Sequence, residues 1–569
     1  MASSPALFTA SRSQTLTYLL AVCPFSIAFL VFINSSISFV VTDLIGLHDG
    51  EGDAVGTLGF ADELLALAAC PLWGVLSDRI GVRHVCTAGY AIVALALVLF
   101  VQATNIYPQL LLGRLLFSIG GSAVSTMVTA VLPTVTGKPL DTQAYRASVS
   151  SELTITPERA RNGYNLRDVG NPGASPSARL SGFVGMCAGC GALVALAVFL
   201  PLPARFEKGG LTPAQAIQRS YYLVAVISLV ISLVCFIGMR DLPGDKGKSW
   251  SALWKSDPCY DEDDEDLDIP KLPYWKQLTT ALFLGFRNRD IGLGYVGGFV
   301  ARASSVGISL FIPLAVNHYY RASGLCDEAQ PIHGSGVGDI KKSCPRAYIV
   351  ASILTGVSQL VALISAPAFG YLTDKSRRYN FPLLFAALVG IIGYLVFAKL
   401  PSPLFKGPDG SLGVFVVMAL MGISQIGAIV CSLAVLSNGI LRVSFDDETL
   451  RKICDEQRAA ARQDAEPGED QPLLGGAVNH RLERLSHLKG SIAGVYSLYG
   501  GAGILLLTKV GGLLFDVLSS GTPFYIMAGF NGVLLTTGLS KAELNARLYY
   551  EVRQKWVAIN LSKLVHGIN

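Results

Sequence analysis

The sequence predicts an all-α membrane protein of about twelve transmembrane helices, arranged as two pseudo-symmetric bundles of six. Three observations predict it. The 569 residues are 51% hydrophobic and only 15% charged, with a mean hydropathy of +0.47, too apolar for an ordinary water-soluble protein. The apolar residues gather in blocks of about 18 to 25, the length a helix needs to cross roughly 30 Å of hydrocarbon. A pattern of glycine, acid and basic residues that starts at Gly74 returns at Gly370, in corresponding positions of two halves, as an internal repeat would place it.

The apolar blocks place spans at about 16–41, 54–77, 82–103, 107–131, 179–200, 219–239, 291–317, 347–371, 381–400, 411–440, 489–514 and 522–540, each end good to a few residues. The first block is too long for a signal-peptide core and reads as a span. The 59 glycines suit helices that pack backbone to backbone. Long polar segments at 134–178, 240–290 and 441–488 share one side with both termini. The expected organisation is a six-helix unit over 1–239, an acidic linker over 240–290, a second unit over 291–540 and a tail over 541–569. The run Asp261 to Asp266, between Pro258 and Pro270, repels itself and reads as an unfolded hinge.

Charge asymmetry sets the sidedness. Arg79 and Arg83 follow the second span, Lys375, Arg377 and Arg378 follow the eighth, and 134–178 adds Lys138, Arg146, Arg159, Arg161 and Arg167. The loops after spans one, three and eleven have no Lys or Arg. The positive-inside rule therefore puts the long loops and both termini in the cytoplasm.

Other classes find little support. A net charge of +4 without a long basic tract gives no nucleic-acid partner. No metal-ligand cluster, Walker loop or nucleophile elbow is present, so no metal, cofactor or enzymatic activity is expected. Cys23, Cys70, Cys187, Cys190, Cys235 and Cys431 lie inside apolar blocks and read as small core residues.

Between spans two and three the chain reads Gly74-Val-Leu-Ser-Asp78-Arg79-Ile-Gly81-Val-Arg83. Gly74 permits close helix approach. Asp78 can accept hydrogen bonds from a neighbouring helix N-terminus or pair with an Arg, and Gly81 permits a sharp turn. The echo is Gly370-Tyr-Leu-Thr-Asp374-Lys375-Ser-Arg377-Arg378. This pair of loops resembles the motif of the major facilitator superfamily. In the second copy Arg377 stands where the family has glycine, so a weakened latch is expected there. Gly113-Arg114 to Ala123 in span four resembles a motif of proton-linked members, with Ser118 replacing a glycine. The glycine-rich run Gly182 to Gly191 lacks the proline that marks drug–proton antiporters.

The resemblance implies two six-helix bundles that rock about a midplane site, and a function in secondary active transport of a small solute. It also implies a cavity lined by spans one, four, seven and ten. Polar residues there include Asn34, Ser38, Arg114, Ser118, Arg302, Ser305, Ser424 and Gln425. The uncharged ones can equally serve as interhelical hydrogen bonds.

Charges within hydrocarbon are costly and mark function by default. Asp62 and Glu63 in span two lie at a depth similar to Arg114 in span four, so an acid–Arg pair is expected. The helical wheel puts Glu63 close to the face of Gly74 and favours it over Asp62. Such a pair can carry a proton, or it can be a fixed pair that locks helix register. Arg302 in span seven calls for an anionic partner or an acidic substrate.

Cys326 and Cys344, in the outer loop after span seven, form a candidate disulfide. Glu469-Asp-Gln-Pro-Leu473-Leu474 resembles an acidic dileucine sorting signal, pointing to a vacuolar or lysosomal membrane with the plasma membrane as alternative. The expected protein is a monomer in the bilayer, handling a small-molecule substrate and, in one reading, protons. The rival reading is a transporter-like sensor that binds a solute and signals through its long loops.

Overall fold

The computed structural model describes residues 10–46, 51–136, 176–242, 245, 248, 274–324, 345–376, 380–405, 410–463 and 488–541. Within them, eleven helices are long and apolar enough to cross a membrane. They are Arg12–Ile37, Val55–Ile80, Val82–Phe100, Ile106–Thr136, Ser177–Lys208, Pro213–Gly238, Arg289–Ala322, Ile349–Lys375, Phe381–Ala398, Gly413–Leu441 and Lys489–Phe515. A twelfth helix covers 522–541. It is less apolar, and its Asn531 is buried, with Nδ2 donating to Met527 O (2.9 Å) and Oδ1 accepting from Ser424 (3.3 Å). These are the spans the apolar blocks predict, shifted by a few residues. The fold is all-α among the described residues.

Local chemistry fixes several ends. Ser11 caps the first span: its Oγ accepts from Gln14 N–H at 3.3 Å, and the Gln14 side chain accepts from Ser11 N–H at 2.8 Å, a reciprocal capping box. Spans two and three are joined by Gly81 alone, at φ +91°. Asp78 and Arg79 therefore stand in the last helical turn and not in a loop. Only a glycine takes that backbone conformation without strain. Inside the segment expected to be linker, Tyr274–Arg287 forms a helix packed on the bundle. The helix of span ten continues beyond the expected membrane edge to Gln463.

Each half has its own core. One cluster joins Phe29, Phe32, Tyr90, Phe100 and Tyr221 of the first half, and another joins Phe311, Tyr394, Phe524 and Met527 of the second. Buried hydroxyls are satisfied by backbone across helices: Tyr18 donates to Val128 O at 2.5 Å, Tyr90 to Val22 O at 2.8 Å, and Ser228 to Tyr90 O at 2.9 Å. An unpaired hydroxyl in hydrocarbon would cost several kcal/mol, so these bonds fix helix register as well as satisfy polarity.

Candidate functional site

Two seams join the halves, and they repeat each other. In the first, span two meets span eleven. The helix that begins at Lys489 has Leu488 at its N-cap, which supplies no side-chain acceptor. Asp78 supplies it from the other half: its carboxylate accepts from Gly490 N–H (2.7 Å), Ser491 N–H (2.8 Å) and Ser491 Oγ–H (2.6 Å). A carboxylate on exposed helix N–H groups is a charge-assisted cap that also meets the positive end of the helix dipole. Gly74 lets the backbones touch; a Cβ there would lie 2.4 Å from Gly490 O and 2.9 Å from Gly494 Cα.

In the second seam span eight meets span five. A Cβ on Gly370 would lie 2.8 Å from Gly182 Cα and 3.0 Å from Ala178 O. Asp374 accepts from Arg179 Nε at 2.7 Å. The partners correspond in order: Gly490, Ser491 and Gly494 in one seam, Ala178, Arg179 and Gly182 in the other. Next to it, Ser177 donates to Asn438 Oδ1 at 2.5 Å. The weakening expected at Arg377 falls outside the described residues; Gly370 makes the same close backbone approach as Gly74, while Asp374 pairs with an arginine side chain where Asp78 caps a helix. Lys375 is exposed.

The basic residues of the first copy bind the surroundings. The Arg83 side chain donates from Nε to Phe236 O (2.7 Å), and its backbone N–H donates to Asp245 (3.4 Å). The Arg79 guanidinium stacks on Tyr274 at 3.5 Å from the ring centroid.

About 24 Å along span two from Asp78, at 1.5 Å per residue, lies the charged centre. Arg114 is 3% exposed. Its Nη2 donates to Asp62 Oδ2 at 2.5 Å and also to Asn34. Ser118 donates to Asp62 O at 2.8 Å and holds the acid-bearing turn. Arg114 Nε and Nη1 are buried and have no partner among the described residues. The acid–Arg pair is present, but its acid is Asp62, which corrects the preference for Glu63. The physical reason is which helix each face of span two meets. The face of Gly74 meets span eleven, where Cys70 O and Gly74 lie against Gly494, while Asp62 faces Arg114 of span four.

Glu63 makes no hydrogen bond or ion pair among the described residues and lies within electrostatic reach of Asp62, Arg302 and Arg114. Arg302, from the other half, donates to Ser125 Oγ of span four at 3.1 Å and has no carboxylate at ion-pair distance among the described residues. Gln425 stands apart: Nε2 donates to Ser305 (2.9 Å), and Oε1 accepts from Gln359 (3.3 Å). Asn34, Asp62, Glu63, Arg114 and Arg302 thus come together, and Gln425 belongs to a neighbouring network within the second half. Arg378, Cys326, Cys344, Glu469, Leu473, Leu474, the run 261–266, most of 134–178, 464–487 and 542–569 lie outside the described residues. The side chain of Ser38 does as well. Among the described residues no group of acidic, His or Cys side chains could hold a metal ion.

Sequence reasoning did not find Ser125, Arg179, Ser491 or Gln359. Serines and glutamines are common in spans, and nothing in their local sequence says which helix they will face. The glycines of spans five and eleven were the one usable signal, because close approach needs a glycine on both helices.

Two bundles joined by paired seams around a charged centre define a multi-pass membrane protein. The family model of the Major Facilitator Superfamily matches residues 24–145. No curated protein matches the chain by sequence. Among solved structures, the chain is similar to the major facilitator superfamily transporter FucP in the outward conformation, at 14% identity and a TM-score of 0.50, covering 93% of this chain and 99% of that one. It is also similar to the proton:xylose symporter XylE bound to 6-bromo-6-deoxy-D-glucose, at 11% identity and a TM-score of 0.52, covering 92% of this chain and 94% of that one. At such identities the likeness is one of fold. The fold that the two loop motifs led one to expect is present: it is the fold of solved major facilitator superfamily transporters.

Proposed function

We propose that this protein is a secondary active transporter that moves a small anionic solute together with protons by alternating access. The two rocking units are residues 1–239 and 291–540, acting as a monomer. Arg302 is the observation that carries the reading. It projects from one half toward Ser125 of the other at 3.1 Å, and no carboxylate neutralises it among the described residues. A cation in hydrocarbon is costly without a partner, and an anionic solute bound between the halves supplies one. The buried, unpartnered Nε and Nη1 of Arg114 are further donors at the same charged centre.

Glu63 is the proton carrier in this reading. It is the acid of the centre that Arg114 does not hold, and it lies within reach of both arginines. Protonation removes its attraction for Arg302, and an incoming anion takes its place. Asp62 fixes Arg114 against Asn34 and span four. The XylE structure is of a proton:xylose symporter, so proton coupling occurs on this fold, and here the charged centre supports it. The basic loops put both termini in the cytoplasm, and the dileucine run at Glu469, Leu473 and Leu474 directs the protein to a vacuolar or lysosomal membrane in preference to the plasma membrane.

The test is flux into proteoliposomes across a panel of carboxylate, phosphate and neutral solutes, with internal pH recorded. The parent moves an anionic solute with accompanying protons. Arg302→Gln raises KM for that solute by about ten-fold or more, the scale of one charge-assisted hydrogen bond, and Glu63→Gln transports without proton movement. A neutral solute carried equally by the parent and by Arg302→Gln would rule out the anion. Glu63→Gln with unchanged proton coupling would rule out the carrier.

A further inference from the structure

The helix Tyr274–Arg287 is not one of the spans, yet it exposes large aromatic side chains: Trp275 is 76% exposed, Phe283 66% and Phe286 77%. At 100° per residue these three fall on one face with Thr279, and Lys276 and Arg287 lie along one edge of it. The opposite face carries Gln277, Ala281 and Leu284, all buried. It packs into a cluster with Ile291, Tyr295, Leu488 and Ile492. An aromatic face of this size on a non-spanning helix marks an interaction surface.

The depth of the helix says what covers that face. It folds back along the start of span seven. Tyr295 Oη donates to Ala281 O at 3.0 Å, and a Cβ on Gly292 would lie 2.2 Å from Gly285 O. Tyr295 is roughly 9 Å along span seven from Arg289 at 1.5 Å per residue, so the middle of the helix lies beside the first turns of span seven, at the end where that span begins. Its N-terminal Tyr274 sits under Arg79 of the first motif, on the latch side of the membrane. Trp and Phe at that depth, flanked by exposed Lys276, Arg287 and Arg289, have the composition of an interfacial helix.

We infer that this helix is a lipid-reading element: Trp275, Phe283 and Phe286 insert at the headgroup–acyl boundary of the latch-side leaflet, and Lys276 and Arg287 select anionic headgroups. Through Tyr274 the lipid-held helix also braces the end of span two that carries Arg79 and Asp78. Each basic residue beside an anionic surface favours binding about five-fold, so the preference rests on charge and the insertion on the aromatic face.

The test uses full-length protein in vesicles containing acyl-brominated phosphatidylcholine or acyl-brominated phosphatidylserine. The signal of Trp275 is the difference in fluorescence between the parent and Trp275→Phe. Phe286→Trp placed in Trp275→Phe gives an independent reporter of the same face. Both reporters should be quenched by either lipid and several-fold more by the brominated serine lipid. The pair Lys276→Gln and Arg287→Gln should erase the excess and keep the quenching. Equal quenching by both lipids in the parent would overturn the headgroup selection. No quenching by either would overturn the insertion, and recovery of quenching on deleting 261–266 would assign the face to the chain's own acidic run.

Discussion

At the scale of single residues, the two neighbouring acids of span two have different surroundings and should have different mutant phenotypes. Asp62 neutralises an arginine that is 3% exposed. Asp62→Asn leaves Arg114 as a buried cation without a carboxylate, which in proteins generally costs about 3–5 kcal/mol. Glu63 has no such partner among the described residues, and Glu63→Gln removes a charge without orphaning another. Thermal unfolding in mild detergent should therefore show a clear loss of midpoint for Asp62→Asn and a midpoint near the parent's for Glu63→Gln. The reverse order would mean that Glu63 holds Arg114 in the folded protein. The sequence could announce that an acid would meet Arg114, because depth along a helix is countable. It could not choose between adjacent acids, because nothing in the sequence says that the face of Gly74 meets span eleven while Arg114 waits on span four.

At the scale of elements, the spans were legible because each is an apolar block bounded by polar or charged residues, and hydrocarbon thickness sets the length of such a block. The helix Tyr274–Arg287 was not, since 14 residues with a single apolar face carry too little hydropathy to stand out from a linker. The seams were half legible. Gly74 and Asp78 could be read as a contact surface, but the receiving helix could not, since Leu488 gives no sign that its helix lacks a cap. This packing makes a sharp prediction about glycines on one helix. Gly74→Ala puts a methyl group 2.4 Å from Gly490 O, whereas at Gly59 no atom lies within 4 Å of a Cβ. Overpacking of a tight contact costs about 1–3 kcal/mol. Hydrogen exchange at Gly490 and Ser491, whose N–H groups are held by Asp78, should accelerate in Gly74→Ala and stay at the parental rate in Gly59→Ala. Equal rates in both variants would show that span eleven yields freely and that the glycine contact does not hold the seam.

At the scale of the whole molecule, the correspondence of the two seams asks whether they open together. Span two closes on span eleven through Asp78, and span eight closes on span five through Asp374. Both ties lie at the end of the molecule that carries the two motif copies. If each half moves as one packed body, neither seam can part without the other, because a rigid bundle hinges about the centre and not about one edge. Asp374→Asn then weakens a tie on one side and shifts the population of a state that is open on both. The interaction lost is a partly exposed ion pair, Arg179 being 46% exposed at its side chain, so the shift is modest, about 0.2–1 kcal/mol or up to about five-fold in population. Its signature is remote: exchange at Gly490 and Ser491 should speed up in Asp374→Asn by that factor, although Asp374 touches neither residue. Asp78→Asn acts on the same equilibrium and should speed the same amides further, and because the ties are far apart the two effects on free energy should add in the double variant. Exchange at Gly490 and Ser491 left unchanged by Asp374→Asn would mean that the seams open independently. The two halves could then not be rocking as rigid bodies.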